Sequence, residues 1–411
     1  MPLIRRRALL GAGLAGIAAG RAFAAAGPGA PPEPLRLGAL FPFSGPLALL
    51  GDESFRGLDL AVDERNATGG LLGRKLLLVR GDSAEAATAA AEAKRLTADG
   101  HVAAIFGSYA SPVSFAASAV AELAGVPYFE LDALADAITE RGFRLLFRCG
   151  LQGGACGALA VDTVADLLAP RWHMLPSELR LVILHQDGLG GGSIATAEQA
   201  RAAQRGFTLA ERIAYPAATL DLTPIVQRLR GGGADVVLHS GLLSDVLLLH
   251  RTMQQAGWRP RMLIGTGGGY ALADTAQALG AAFEGVMAVG FAPYRTSDIV
   301  APGAGQVAAA YQRKYGAAPR SGHSLACFAG TRVFLDAIER AGTLDADRLR
   351  AAVLATDIPP GGSVGGFGVK FDDHGQNLRA VPYLSQWQGG TLVTVAPTEA
   401  AVAQAAVTLG G

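Results

Sequence analysis

The chain has 411 residues with 35 basic and 35 acidic side chains, 50% hydrophobic and 17% charged residues, and 55 glycines. That length suits two to three domains with sizeable cores. The composition excludes a disordered chain or a coiled coil, and the glycines lack the three-residue period of collagen. With no global basic field, nucleic acid and anionic lipid are poor partners, and a small molecule is the better expectation.

Residues 1–24 read as a cleavable export signal. Arg5, Arg6 and Arg7 precede an apolar stretch from Ala8 to Ala19, and Ala22-Phe23-Ala24 supplies the small residues of a cleavage site. The stretch is too short to span roughly 30 Å of hydrocarbon. The paired arginines, the glycine-diluted apolar region and Arg21 resemble a twin-arginine signal. Cleavage after Ala24 removes four arginines and no acid, leaving a mildly acidic mature chain. No cysteine lies near the cut to carry a lipid, so a free periplasmic protein is expected. Residues 25–34, rich in proline and glycine, read as a flexible leader. Only Cys149, Cys156 and Cys327 occur; either the first two pair or all three are buried small residues, and the second reading is favoured.

From Leu35 onward short apolar strands alternate with helical periods. Strands are expected at Leu35–Phe41, Lys75–Arg80, Val102–Phe106, Val126–Glu130 and Leu145–Arg148, with helices at Ser54–Asn66, Ala84–Asp99 and from Ser111 to Ala124. Ser111-Pro112 has the signature of a cap and first turn. A second series places strands at Leu179–Leu184, Leu209–Ile213, Val236–Leu238 and Met262–Ile264, with Thr223-Pro224 and Ser244 opening helices between them. The fold class is α/β, with two doubly wound parallel sheets and a cleft beyond their strand ends.

Catalytic and cofactor motifs do not survive inspection. Gly11 to Gly16 matches the dinucleotide fingerprint, yet arginines stand where a strand is required; Gly265 to Gly269 has Tyr270 in place of its last glycine. The seven histidines show no metal-type spacing, so neither a metal nor a cofactor is expected. Gly322-His323-Ser324-Leu325-Ala326 lacks the last glycine and the preceding strand of a nucleophile elbow, and a helix start with Ser324 near its cap is the better account. What remains is a set of short polar residues just past strand ends: Gly107 to Ser111, Leu131 to Leu134, Gln186 to Gly188 and His239 to Gly241. Free N–H groups and a helix N-terminus at Ser111 suit a carboxylate or a carbonyl. Any one of these is merely a helix cap; their placement in both series points to a ligand cleft.

The stretch LGALFPFSGPLALLGDESFRGLDLAVDERNATGGLLGRKLLLVRGD, from Leu37 to Asp82, resembles the opening of the leucine/isoleucine/valine-binding-protein family, the type I periplasmic solute receptors of ABC importers. IFGSYASPVSFAASAVAELAGVPYFE, ITERGFRLLFR, SLACFAGTRVFLDAIERAG and GVKFDDHGQNLRAVPYLSQW continue the likeness to about Pro397. The resemblance implies two lobes joined by three crossings, near Arg148–Leu151, Val286–Phe291 and Gly365–Lys370. Lobe 1 would hold 35–147 and 292–362, lobe 2 would hold 151–285 and 371–397, and 398–411 would be a C-terminal tail. It implies a monomer that closes on a small solute and presents it to the permease subunits of an importer.

Carried over residue by residue, the loop that grips an α-carboxylate matches Tyr109, Ala110 and Ser111, with Ala133 and Leu134 at the next strand end. The acidic residue that neutralises a ligand ammonium falls at Gly267, and pocket tyrosines fall at Leu189, at Leu242 and near His323. Cysteines that some members pair are Ala84 and Ala110 here. Asp132 or Asp187 is left to supply a replacement charge. The expected ligand is a branched-chain or other hydrophobic amino acid, or a related amide or organic acid. Two other classes stay open: a cytoplasmic ligand-sensing regulator on the same fold, and an exported α/β enzyme with a nucleophile that the motifs do not reveal.

Overall fold

The structure is a computed structural model that describes residues 32–410; the expected export signal and most of the leader lie outside the described residues. The first sheet contains β1 (Leu35–Phe41), β2 (Leu76–Asp82), β3 (Ala104–Gly107), β4 (Tyr128–Glu130) and β5 (Leu146–Arg148). Its order is β2-β1-β3-β4-β5 and every pair is parallel. Between the strands run α1 (Ala48–Ala67), α2 (Ala86–Ala98) and α3 (Ser111–Leu123). The central strand β3 is buried at every position, whereas the edge strand β2 is exposed or half-buried at most of its positions. Helices on both faces cover the middle of a parallel sheet, and the other edge strand, β5, is buried as well.

The second half opens with α4 (Gly153–Asp162), which continues through one wide turn into α5 (Ala169–Arg171). Strands β6 (Leu181–Gln186), β7 (Leu209–Tyr215), β8 (Val236–Ser240), β9 (Met262–Thr266) and β10 (Met287–Gly290) follow, interleaved with α6 (Leu189–Gln204), α7 (Thr223–Gly231), α8 (Leu243–Gln255), α9 (Gly268–Ala271) and α10 (Ala273–Leu279). The chain then forms α11 (Ala304–Tyr315), α12 (Gly322–Ala341), α13 (Ala346–Leu354), the small pair β11 (Asp357–Ile358) and β12 (Val369–Lys370), and finally β13 (Tyr383–Gln388) and β14 (Thr391–Ala396). The second sheet has the order β14-β13-β10-β9-β8-β6-β7, parallel from β7 to β10 and antiparallel beyond.

Strand order reverses between β1 and β3 in the first sheet and between β6 and β8 in the second. At such switch points the loops leave in opposite directions and open a crevice at the carboxyl ends. The strands expected from sequence coincide with the observed ones to within about two residues, as apolar runs bounded by turn residues allow. Helix α1 starts earlier than expected, because the turn Gly45–Leu47 runs directly into it.

Two of the three crossings differ from the expectation. β10 occupies the place expected for the second crossing, so the chain leaves the second sheet only after Gly290. Phe371, expected in the second lobe, packs in the first core against Phe147 and Phe334. Asn377 donates to the Cys149 carbonyl at 3.0 Å, and Arg148 Nε donates to Gln376 at 2.6 Å, so the return to the second sheet comes after Asn377. The last segment is held along the second sheet, with Trp172 Nε1 donating to the Val407 carbonyl at 2.9 Å and Gln386 Nε2 to the Ala406 carbonyl at 2.9 Å.

The first core joins β1, β3, β4 and β5 to α1 and α12, with Phe129 stacked on Phe334 at 4.3 Å between centroids. Two further cores cover the two faces of the second sheet. Cys149, Cys156 and Cys327 are free and buried, and burial raises all three thiol pKa values. No helix among the described residues is long and apolar enough to cross a membrane.

Candidate functional site

The first-lobe wall is built around Glu130, the last residue of β4, which is fully buried. Its Oε1 accepts from the backbone N–H groups of Ser108 at 2.9 Å, Leu131 at 3.0 Å, and Asp132 and Ala133 at 2.8 Å, while the Ser114 hydroxyl donates to Oε2. One carboxylate thus ties the loop after β3 to the loop after β4. Burial raises its pKa, and these hydrogen bonds oppose the rise without cancelling it.

Ser111 does not cap α3. The cap position is Ala110, which makes no side-chain bond, and Ser111 is the first helical residue. Its Oγ instead accepts from the Ala135 N–H at 3.1 Å, which leaves the hydroxyl hydrogen to be donated. Tyr109 Oη accepts from the Gly268 N–H across the cleft at 3.1 Å. Ala133 is buried and spends its N–H on Glu130, so it supports the wall without lining it.

Asp132 is engaged from two sides. His323 Nδ1 donates to its Oδ1 at 2.6 Å, and the Ser54 hydroxyl donates to its Oδ2. Burial pulls the His323 pKa down, but the charge and hydrogen bond of Asp132, with Glu53 beyond, more than offset it, and the net shift is upward. Glu53 sits under the start of α12, accepting from the Ser324 hydroxyl at 2.5 Å, Tyr311 Oη at 2.6 Å and the N–H groups of Arg320 and Ser321 at 3.1 and 3.2 Å. The side-chain cap of α12 is Ser321, which accepts from the His323 N–H at 3.3 Å, so the cap lies three residues before Ser324. Ser324 is a structural hydroxyl shared with Glu53 and Tyr294.

The second-lobe wall comes from three strand ends. β6 leads into Gln186, Asp187, Gly188 and Leu189; β8 into Ser240, Gly241 and Leu242; β9 into Thr266, Gly267 and Gly268. Asp245 fixes two of these ends by accepting from the Leu242 N–H at 2.9 Å and from Gln186 Nε2 at 3.1 Å. Behind them His239 lies between Tyr215 Oη, at 2.7 Å, and Tyr270 Oη; burial first, then His250 and His185, lowers its pKa to about 3. It is a neutral spacer at ordinary pH.

Gly267 has φ +100°, a conformation unfavourable to L side chains, and a Cβ there would lie 3.0 Å from the Gly241 carbonyl oxygen. The position offers no carboxylate, and the backbone disfavours one. A Cβ at Gly268 would fall 2.1 Å from Tyr109 Oη, so glycine is what lets the two lobes meet there.

Between the walls lies a cleft of about 210 Å³. Tyr109, Ala110, Ser111, Asp132, Leu134, Asp187, Leu189, Leu242, Gly267 and His323 all line it, so ten of the eleven expected positions converge and Ala133 does not. A smaller cavity of about 20 Å³ continues inward past Leu134, Gly267 and His323 towards Phe291 and Ser385. Sequence reasoning missed Thr266, Gly268 and Ile194 on the same wall as ligand-facing residues. The first two stand in the glycine-rich turn Gly265 to Gly269, whose sequence pattern resembles a cofactor loop. Ser193 Oγ donates to Asp136 Oδ2 at 3.0 Å and Arg320 bonds Asp274 at 2.5 Å, so the lobes are joined on both flanks of the cleft. Among the described residues no group of three His, Cys, Asp or Glu side chains is arranged to hold a metal ion.

Residues 34–391 match the family model described as periplasmic binding protein. The Leu/Ile/Val-binding protein homolog 7 of Brucella suis is 40% identical over 371 residues, covering 90% of this chain and 93% of that protein. The branched-chain amino acid substrate-binding protein LivJ of Streptococcus pneumoniae, solved with isoleucine, superposes with a TM-score of 0.76 at 22% identity, covering 89% of this chain and 100% of that one. A solute-binding protein of an ABC transporter from R. palustris, solved with 4-hydroxybenzoate, gives 0.76 at 22% identity, covering 88% and 95%.

Proposed function

The chain belongs to the periplasmic binding protein family, and on that premise we propose that it captures a small apolar solute with a carboxylate or carbonyl head and delivers it to the permease of an ABC importer. The observation that carries this reading is the cleft itself: strand-end loops of both lobes enclose it with a few polar groups among apolar side chains of both walls, and hydrogen bonds join the lobes around it. A solute that bonds to both walls stabilises the closed arrangement over the open one by the difference in its affinity for the two.

In this reading Ser111 and the first turn of α3 bond one oxygen of the head group. Pro112, Leu134, Leu189, Ile194 and Leu242 face the body of the solute. The relatives that carry Leu/Ile/Val in their names, and neighbours solved with isoleucine and with 4-hydroxybenzoate, span ligands with and without an ammonium. The choice falls to the residues, and Gly267 in place of an acid favours a ligand without one. Export through the signal in residues 1–24, by the twin-arginine route, and action as a periplasmic monomer belong to the same reading. In this reading the site returns its ligand unchanged: Ser324, the one hydroxyl of the elbow-like motif, is fully buried, shares its hydrogen bonds with Glu53 and Tyr294, and stands behind the cleft instead of lining it.

A thermal-shift screen of aliphatic amino acids, their amides, and branched and aromatic carboxylates tests this. A true ligand at a hundred times its Kd adds about 2.7 kcal/mol to the stability of the native state. Recovery of that ligand intact supports the reading; its chemical conversion, or no shift across the panel, overturns it.

A further inference from the structure

Three features of the cleft are unexplained by a generic solute site. His323 is nearly buried, its Nδ1 is committed to Asp132 at 2.6 Å, and its Nε2 has no hydrogen-bond partner among the described residues although the residue lines both the cleft and its inner extension. On the opposite wall Ser240 and Thr266, paired in register at the ends of β8 and β9, are buried cleft residues whose hydroxyls have no partner among the described residues. Buried polar groups without partners are rare in native proteins, and each costs free energy until something bonds to it. Thr266 directly precedes Gly267, the position where the resemblance would have put an acid for an ammonium.

We propose that His323, oriented by Asp132, donates through Nε2 to the carboxylate of an ammonium-free acid, and that Ser240 and Thr266 bond a second ligand oxygen, a hydroxyl or a carbonyl, beside that carboxylate. This rests on the solute-receptor reading and narrows its ligand to small 2-hydroxy or 2-oxo acids. Asp132 does not neutralise a ligand cation, since its oxygens already take His323 and Ser54. Hydroxyls serve a neutral oxygen well and a desolvated ammonium poorly, because a buried charge needs an opposite charge as well as hydrogen bonds.

The charged and titratable groups facing His323 are Asp132 after β4, Glu53 on α1 and Tyr109 after β3; from the second lobe, exposed Asp187 lines the same cleft. Two carboxylates close to the ring favour its protonated form, and the upward shift agrees. A protonated ring bears hydrogen on both nitrogens, so it attracts the anion and donates to it, whereas a neutral ring that keeps its Nδ1 hydrogen on Asp132 leaves Nε2 bare and unable to donate; affinity is therefore highest below the His323 pKa and falls as pH rises through it.

Calorimetry on the mature chain tests this with two series: leucine, isocaproate, α-hydroxyisocaproate and α-ketoisocaproate, and the corresponding phenylalanine-derived compounds, at about pH 6 and about pH 9. In at least one series the α-oxygenated acids should bind at least tenfold tighter than both the amino acid and the unsubstituted acid, and lose at least tenfold in affinity at the higher pH. Ser240→Ala combined with Thr266→Val should erase the preference over the unsubstituted acid and keep the pH dependence. His323→Gln should erase the pH dependence; should that variant fail to fold, the wild-type pH profile and the hydroxyl variant still decide. Tightest binding of the amino acid, or affinity independent of pH, overturns this inference while the receptor reading stands. Silence from both series and from the wider panel overturns both.

Discussion

Both lobes bury glutamates, and Glu130 in the first and Glu198 in the second are treated in opposite ways. Glu130 in the first lobe gathers four backbone N–H groups and a hydroxyl around one carboxylate. Glu198 on α6 in the second lobe has neither oxygen bonded among the described residues, and burial lifts its pKa to about 8. The same contrast runs through the cleft walls, where the first lobe is interlocked through Asp132, His323, Glu53 and Ser324 and the second leaves Ser240 and Thr266 open. A wall whose polar groups are already satisfied is rigid and preorganised for one head group; a wall with vacant partners gains them only when a ligand arrives.

Replacing each glutamate by leucine breaks or sharpens this contrast. Glu130→Leu strands four N–H groups in the core, and a loss of about 3–5 kcal/mol of stability is expected. Glu198→Leu removes two orphaned oxygens of similar volume, and a gain of about 1–3 kcal/mol is expected at and above neutral pH. The sign of the pH effect follows from the raised pKa. Wild-type stability contributed by Glu198 is fully present below its ordinary value of 4.5 and is lost as pH rises through about 8. The variant lacks that decline, so its advantage shrinks in acid. Chemical denaturation at several pH values checks both; equal destabilisation by the two substitutions would remove the distinction between the lobes.

Gly268→Ala probes the place where the rigid wall touches the open one. The new Cβ would lie 2.1 Å from Tyr109 Oη and expel it from its bond to the Gly268 N–H. At least a tenfold loss of ligand affinity is expected, about 1.4 kcal/mol, with little change in the unfolding of the ligand-free protein. Gly192→Ala on α6, where a Cβ meets nothing within 4 Å, is the control and should bind as wild type. Unchanged affinity in Gly268→Ala would mean that this contact plays no part in closure.

The positions that line both walls were largely legible in the sequence, and how they bond was not, for a reason visible in particular residues. β1 is legible because its apolar run is bounded by Pro34 and Pro42, and the strand-end positions follow from it by counting. Ser111 looked like a cap because Ser-Pro opens helices, and its real use, accepting from Ala135, depends on a loop 24 residues away. The pairing of His323 with Asp132 spans 191 residues, and no local pattern carries it. Ser240 was visible as a strand-end serine, but that its hydroxyl lacks a partner is a property of packing. Gly267 was found only through the resemblance, and its positive φ then supplied the physical reason for the missing acid.

The smallest expected effect concerns the flank. Ser193, near the start of α6, donates to Asp136 Oδ2 at 3.0 Å and accepts from the Asp136 N–H at 3.2 Å, while Asp136 also accepts from Gly154 on α4 at 3.0 Å. Ser193→Ala removes the first two bonds and leaves the third, so Asp136 stays tethered to the second lobe. Net hydrogen bonds of this kind are worth about 0.5–1.5 kcal/mol, and water can replace partners at a half-buried site. The bonds exist only while the lobes are together, so their loss weakens the closed state and not the encounter with solute. Ligand should leave roughly 2–10-fold faster with the association rate nearly unchanged, as stopped-flow measurement can resolve. A slower association at constant release would place Ser193 on the entry path instead, and would move the closing contact to the opposite flank, where Arg320 meets Asp274.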